Sequence, residues 1–265
     1  MSLIEELNNK PFVIAGPCII ENEAMAMDLA ENLKAICEKL GFTYIFKASF
    51  DKANRTSVES FRGNGMDYGL EVFKKIKEKY KVPVITDIHE SWQADKVAEV
   101  VDILQIPAFL CRQTDLLMAA GKTGKIINVK KAQFLSAADM KNVVSKLEST
   151  GNKNILLCER GSMYGFNNLV VDYTGVLEMM DYGYPVVMDC THAVQKPGGL
   201  GGKTGGNRKY VPYVAKAAAA VGVKGFFFEV HRNPEEAMSD GPNMVYLDKF
   251  EEVLASVKKV MEAVQ

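Results

Sequence analysis

Three observations in the sequence predict a (β/α)8 barrel. Eight short runs rich in Val, Ile and Phe recur along the chain, each near-continuously apolar, as parallel strands covered on both faces are. Longer stretches of helical period lie between them. No Gly-x-Gly-x-x-Gly follows the first run, which argues against an open, doubly wound sheet built around a dinucleotide site.

In chain order, residues 1–10 read as a short N-terminal extension, and the runs cover 12–15, 43–49, 84–88, 103–109, 126–130, 155–159, 186–190 and 226–230. The clearest helical stretches are 22–40, 67–80, 137–149 and 248–264, whose apolar residues return every three or four positions. Low-complexity tracts, linkers and charge blocks are missing, so residues 1–265 read as a single barrel domain.

At 265 residues and 48% hydrophobic, the chain can bury a sizeable core. Its 32 basic and 33 acidic residues balance, which argues against nucleic acid or a membrane surface as partner and makes any basic cluster a local feature. There is no run of 18 apolar residues to suggest a membrane span, and Met1-Ser2-Leu3-Ile4-Glu5-Glu6 lacks the pattern of a secretory signal. The five cysteines are odd in number and scattered through apolar segments. They suit a reduced, cytoplasmic setting better than a disulfide framework.

Barrel enzymes place their chemistry at the C-terminal ends of the strands, and all three histidines, His89, His192 and His231, follow such runs. Closure makes the last strand a neighbour of the first. Cys18, His192 and Glu229 then share one sector of the mouth, with Asp240 in the following loop. Thiolate, imidazole and carboxylates form a plausible first shell for one divalent metal ion. Strand parity sorts the lysines: Ile127 and Val129 suit the outer face, so Asn128 and Lys130 point inward and Lys131 outward, while Lys47 and Ser49 oppose Tyr44, Phe46 and Ala48. An inward lysine is costly unless it meets an anion, either a ligand or a partner such as Glu159, Asp87 or Asp189. Arg112 and Arg160 follow the fourth and sixth runs, where forked guanidinium groups suit carboxylate or phosphate oxygens. The segment Lys52-Ala53-Asn54-Arg55-Thr56-Ser57 offers a guanidinium, an amide and hydroxyls for a phosphate. Residues 197–206 are dense in glycine and read as a lid or an anion nest. Their Gly-Lys-Thr imitates an ATP-binding loop but stands too far beyond its strand.

Several long strings carry a resemblance: Phe46-Lys47-Ala48-Ser49-Phe50-Asp51-Lys52-Ala53-Asn54-Arg55, Asp87-Ile88-His89-Glu90, Arg112-Gln113-Thr114-Asp115-Leu116, Asn128-Val129-Lys130-Lys131 and Glu159-Arg160-Gly161. Almost end to end, the chain resembles the 3-deoxy-D-manno-octulosonate 8-phosphate synthases. These homotetrameric barrel enzymes condense phosphoenolpyruvate with D-arabinose 5-phosphate for the inner-core sugar of lipopolysaccharide. The resemblance implies that Lys47, Lys130, Arg160 and Arg112 hold phosphoenolpyruvate and that Lys52 lies where the substrates meet. It also implies that Asn54, Arg55 and Thr56 take the sugar phosphate across a subunit interface. Proton relay falls to His89, Asp87 or His192. Metal-dependent members carry Cys in the first-strand motif and metal-independent ones Asn. Cys18, with His192, Glu229 and Asp240, therefore resembles the metal-dependent branch, with one Mn²⁺, Fe²⁺, Zn²⁺, Co²⁺ or Cd²⁺ per subunit. One departure is Thr56, where the family usually has Ser. The related heptulosonate 7-phosphate synthases, which use erythrose 4-phosphate, carry Lys-Pro-Arg-Thr here, but Ala53-Asn54 in place of a single proline favours the octulosonate enzymes. A non-catalytic sugar-phosphate sensor is the alternative of another class.

Overall fold

The computed structural model describes residues 1–55, 57–164, 168–196 and 205–264; Thr56 and residues 197–204 of the glycine-dense stretch lie outside them. Eight parallel strands close into a barrel: strand 1 (Phe12–Gly16), strand 2 (Thr43–Lys47), strand 3 (Val84–Asp87), strand 4 (Ile103–Ile106), strand 5 (Ile126–Lys130), strand 6 (Ile155–Glu159), strand 7 (Val186–Asp189) and strand 8 (Gly225–His231). Strand 8 pairs back onto strand 1, with Gly16 opposite Glu229. At least one helix follows each strand, from Glu23–Leu40 after the first to Leu247–Ala263 after the last.

Most expected elements stand, with edges moved for local reasons. Strand 4 stops at Ile106 because Pro107 has no N–H for the ladder, and Ala108–Leu110 then winds into a 3-10 turn. The helix expected over 137–149 runs only Met140–Glu148, since Ser136 and Asp139 bond each other in a turn before it. Asn22 caps Glu23–Leu40 through its side chain, which accepts the Met25 N–H at 2.8 Å.

The N-terminal extension is a structural part rather than a prefix. Leu3–Asn9 is a helix whose start is fixed by a capping box between Ser2 and Glu5. It lays Leu7, fully buried, against the barrel interior, in one apolar cluster with Phe12, Ile14, Ile45, Ile126 and Phe227. Burying one such side chain contributes roughly 1.5–3 kcal/mol. The outward faces of the strands, including Tyr44, Phe46, Ile127, Val129 and Phe228, pack with the helices in a second core, as their parity required. Among the described residues no helix is long and apolar enough to cross a membrane.

Candidate active site

Inward-facing positions change character in steps of two residues along the strands. Ile45 gives way to Lys47, Ile85 to Asp87, Ile126 to Asn128 and Lys130, Val187 to Asp189, and Phe227 to Glu229. The upper, charged layer floors a cavity of about 760 Å³ at the C-terminal ends of the strands. Lys47, Lys52, Asn54, Arg55, Asp87, His89, Lys130, Arg160, His192 and Asp240 all line it. Sequence parity alone had pointed several of these residues at one place.

Gly16 lets strand 1 approach strand 2: a Cβ there would stand 2.0 Å from the Lys47 carbonyl oxygen. The chain then passes Pro17 and buries Cys18 completely. The Cys18 Sγ lies 3.2 Å from Asp240 Oδ2 and 2.9 Å from Ser239 Oγ. Donor atoms of Cys18, Glu229 and Asp240 all fall within 4.8 Å of one another. Glu229 is fully buried, and neither carboxylate oxygen has a hydrogen-bond partner among the described residues. Its nearest cations, Lys47 and Lys52, stand back at 3.8 and 3.9 Å. An ionised carboxylate so placed costs several kcal/mol unless something neutralises it. A thiol and two carboxylates around that vacancy of bonding suit a divalent cation. Asp240 is held at φ 51°, a left-handed conformation that a non-glycine residue adopts at a cost of about 1–2 kcal/mol.

His192 faces the same group. Its Nδ1 lies 2.8 and 3.0 Å from the two Asp189 oxygens, which leaves Nε2 turned toward Glu229 Oε1 at 3.6 Å. A carboxylate behind one ring nitrogen is how metal-binding histidines are oriented. His192 stands outside the mutually close trio of donors. His231 turns away: its Nδ1 accepts the Asn233 N–H, and its Nε2 is 3.8 Å from Glu21.

The buried cations differ in how far the protein itself satisfies them. Lys130 sits 2.5 Å from Asp189 and over the Phe227 ring at 3.8 Å. Burial opposes ionisation of Asp189, but His192 and Lys130 outweigh it and hold the carboxyl well below its usual range. Lys47 lies 3.8 Å from both Asp87 and Glu229; burial, then repulsion from Lys52, pulls its pKa down. For Asp87, burial is again outweighed, by Lys47 and by the hydrogen bond with His89 Nε2 at 3.2 Å, and its pKa falls well below normal. Lys131 has the opposite parity and instead ties loops together, donating to the Leu135 carbonyl and Ser162 Oγ at 3.0 Å each. Arg160 is the most open of the set. Only 5% exposed, it donates Nη2 to Gln195 Oε1 at 2.7 Å, while buried Nη1 has no partner among the described residues. Burial lowers its pKa, which an anion at Nη1 would reverse.

Arg55 reaches across the mouth, donating to Phe61 O, Ser239 Oγ and Met238 O at 3.1, 2.7 and 2.8 Å. Asn54 stands exposed beside it on the cavity rim. Thr56 lies outside the described residues. Arg112 is exposed and does not line the cavity of this chain. The 3-10 turn after Pro107 carries it past the rim, where its carbonyl accepts from Lys146. Sequence reasoning missed Gln105, Gln195 and Ser239. Gln105 had a signal, since it shares parity with Ile103 and accepts from Asn128 Nδ2 at 3.2 Å. Gln195 had none, because it lies beyond its strand in a short antiparallel pair with Gly206.

Residues 4–265 match the DAHP synthetase I family. A protein of Fusobacterium nucleatum named 2-dehydro-3-deoxyphosphooctonate aldolase is 59% identical over 92% of this chain and 88% of its own length. Proteins of the same name from a Cyanothece strain and from Rickettsia bellii are 57% and 56% identical, over 97% and 96% of this chain and 94% and 93% of theirs.

Proposed function

The chain belongs to the DAHP synthetase I family, and from that premise we propose that it is an enzyme of cytoplasmic, homotetrameric barrels that condenses phosphoenolpyruvate with D-arabinose 5-phosphate and water. The products are 3-deoxy-D-manno-octulosonate 8-phosphate and inorganic phosphate. One observation carries the reading: six basic side chains, Lys47, Lys52, Arg55, Lys130, Arg160 and Arg208, line a single cavity beside the Cys18, Glu229 and Asp240 donors. Two multiply charged anions repel each other in water, so a cationic cavity that holds both in register supplies much of the rate gain.

In this division of labour Arg160, through its open Nη1, and Lys130 take the phosphate and carboxylate of phosphoenolpyruvate. Lys47 and Lys52 neutralise the space between the substrates. Arg55 and Asn54, on the rim, meet the sugar phosphate, Arg55 exchanging its bonds to Ser239 and Met238 for phosphate oxygens. C3 of phosphoenolpyruvate then forms a bond to the aldehyde carbon, water adds at C2, and the C2–oxygen bond to phosphate breaks. Lys130 and Arg160 stabilise the departing charge. Asp87 holds His89 Nε2, which leaves Nδ1, without a partner among the described residues, to pass a proton at the aldehyde oxygen or the attacking water. Asp189 holds His192 Nδ1 and so turns Nε2 to the donor cluster.

Cys18, His192, Glu229 and Asp240 would hold one divalent metal ion, and the orphaned Glu229 carboxylate fits that assignment. Such an ion supplies Lewis acidity and orientation at the oxygen of the aldehyde or of water. The test is phosphate release from phosphoenolpyruvate with arabinose 5-phosphate, compared with erythrose 4-phosphate as acceptor. Faster release with the five-carbon sugar supports the reading; preference for erythrose 4-phosphate overturns it.

A further inference from the structure

Gln195 joins the anion-binding side of the cavity to the donor cluster, and neither end of its amide can be exchanged. Its Oε1 accepts from Arg160 Nη2 at 2.7 Å, and its Nε2 donates to Asp240 Oδ1 at 3.2 Å. Turning the amide over would set an N–H against the guanidinium and an oxygen against the carboxylate, so the chemistry of the two neighbours fixes its orientation. The backbone of Gln195 is pinned by its pairing with Gly206, and the residue is 7% exposed. Beyond Gln195 on one side lies Arg160 Nη1, buried and without a partner among the described residues. On the other side Asp240 turns its second oxygen to Cys18 Sγ at 3.2 Å. A continuous path of four side chains therefore runs from an open anion donor to a candidate metal ligand.

We propose that Gln195 is a positioning residue that couples occupancy of the anion seat at Arg160 to divalent-metal binding at Cys18, Glu229 and Asp240. The proposal rests on the substrate and metal reading given above. Either ligand fixes one end of the amide and of the strained Asp240 loop, so the second ligand meets a site already ordered. Coupling of this kind is reciprocal: phosphoenolpyruvate raises metal affinity by the factor by which metal raises phosphoenolpyruvate affinity. Direct attraction between the anion and the cation adds to it, and only the part carried by Gln195 disappears on substitution.

The experiment is a titration of metal-stripped protein with Mn²⁺, by calorimetry and by the electron paramagnetic resonance of free Mn²⁺, with and without phosphoenolpyruvate. No sugar is added, so nothing turns over. In the unmodified protein phosphoenolpyruvate is expected to tighten Mn²⁺ binding by about fivefold or more. Gln195→Leu keeps the volume and removes both hydrogen bonds, and the factor should drop at least threefold toward that of direct attraction. Gln195→Met keeps the length, adds no charge and also removes both hydrogen bonds. It should lose the linkage in the same way, and it serves as the deciding variant if the leucine protein fails to fold. An unmodified protein without linkage, or variants that keep it undiminished, overturns the proposal. Failure of the functional reading is separate, since it would appear as no phosphate release from the unmodified enzyme with arabinose 5-phosphate.

Discussion

The two ends of the barrel are built from the same strands and obey opposite rules. At the N-terminal end, inward residues are Phe12, Ile14, Ile45, Ile85 and Phe227, sealed from below by Leu7. Toward the C-terminal ends of the strands, inward positions carry Lys47, Asp87, Lys130, Asp189 and Glu229, several with bonds unmade or stretched. The lower layer contributes stability through area removed from water. The upper layer costs stability, because charges are desolvated there with incomplete partners. Thus the plug and the apolar floor hold in place a layer that would not hold itself, and its unmet bonds are those the proposed substrates and metal would complete.

Removing metal should break the upper layer most severely. Exhaustive chelation is expected to abolish activity, and Mn²⁺, Fe²⁺, Co²⁺ or Cd²⁺ to restore it; Cys18→Ala should lose both bound metal, by elemental analysis, and turnover. Full activity of metal-free protein would leave the donor cluster a structural curiosity. Cys18→Asn should bind metal weakly and keep some chelator-resistant turnover, because an amide needs no cation to balance it.

Leu7→Ala tests the lower layer. Loss of a fully buried leucine at the plug should cost about 2–5 kcal/mol in denaturant unfolding, with kcat per folded molecule unchanged. A large fall in kcat without a fall in stability would show that the ends are not separable in this way.

Arg160→Met sharpens the contrast within the upper layer. Turnover should fall about a hundredfold, as for loss of a preorganised charge donor. Stability should hold or rise, since Arg160 is a buried cation whose one side-chain hydrogen bond among the described residues is to the neutral Gln195. A melting temperature lowered by many degrees would mean that the guanidinium supports the fold.

The smallest effect expected is for Arg55→Ala, which should raise the KM for the sugar phosphate about tenfold to a hundredfold and leave that for phosphoenolpyruvate nearly unchanged. Equal weakening of both substrates would remove Arg55 from the sugar-phosphate end.

Much of this was legible in the sequence, because a parallel barrel imposes two simple periods on the chain. Apolar runs and helical stretches fix the element order, and alternation along a strand fixes which side chains share a face. Lys47, Lys130 and Glu229 could therefore be directed inward from their neighbours, and barrel closure brought Cys18 toward Glu229 from strands at opposite ends of the chain. What the tertiary structure alone decided concerns residues past the strand ends, where no period operates. The turn after Pro107 carries Arg112 off the cavity, and the strained turn at Asp240 sets that carboxylate against Cys18. Gln195 meets Arg160 and Asp240 from a loop whose course no pattern announces. The plug, too, was decided by packing, since seven helical residues are too few to be stable alone and order only against the barrel floor they cover.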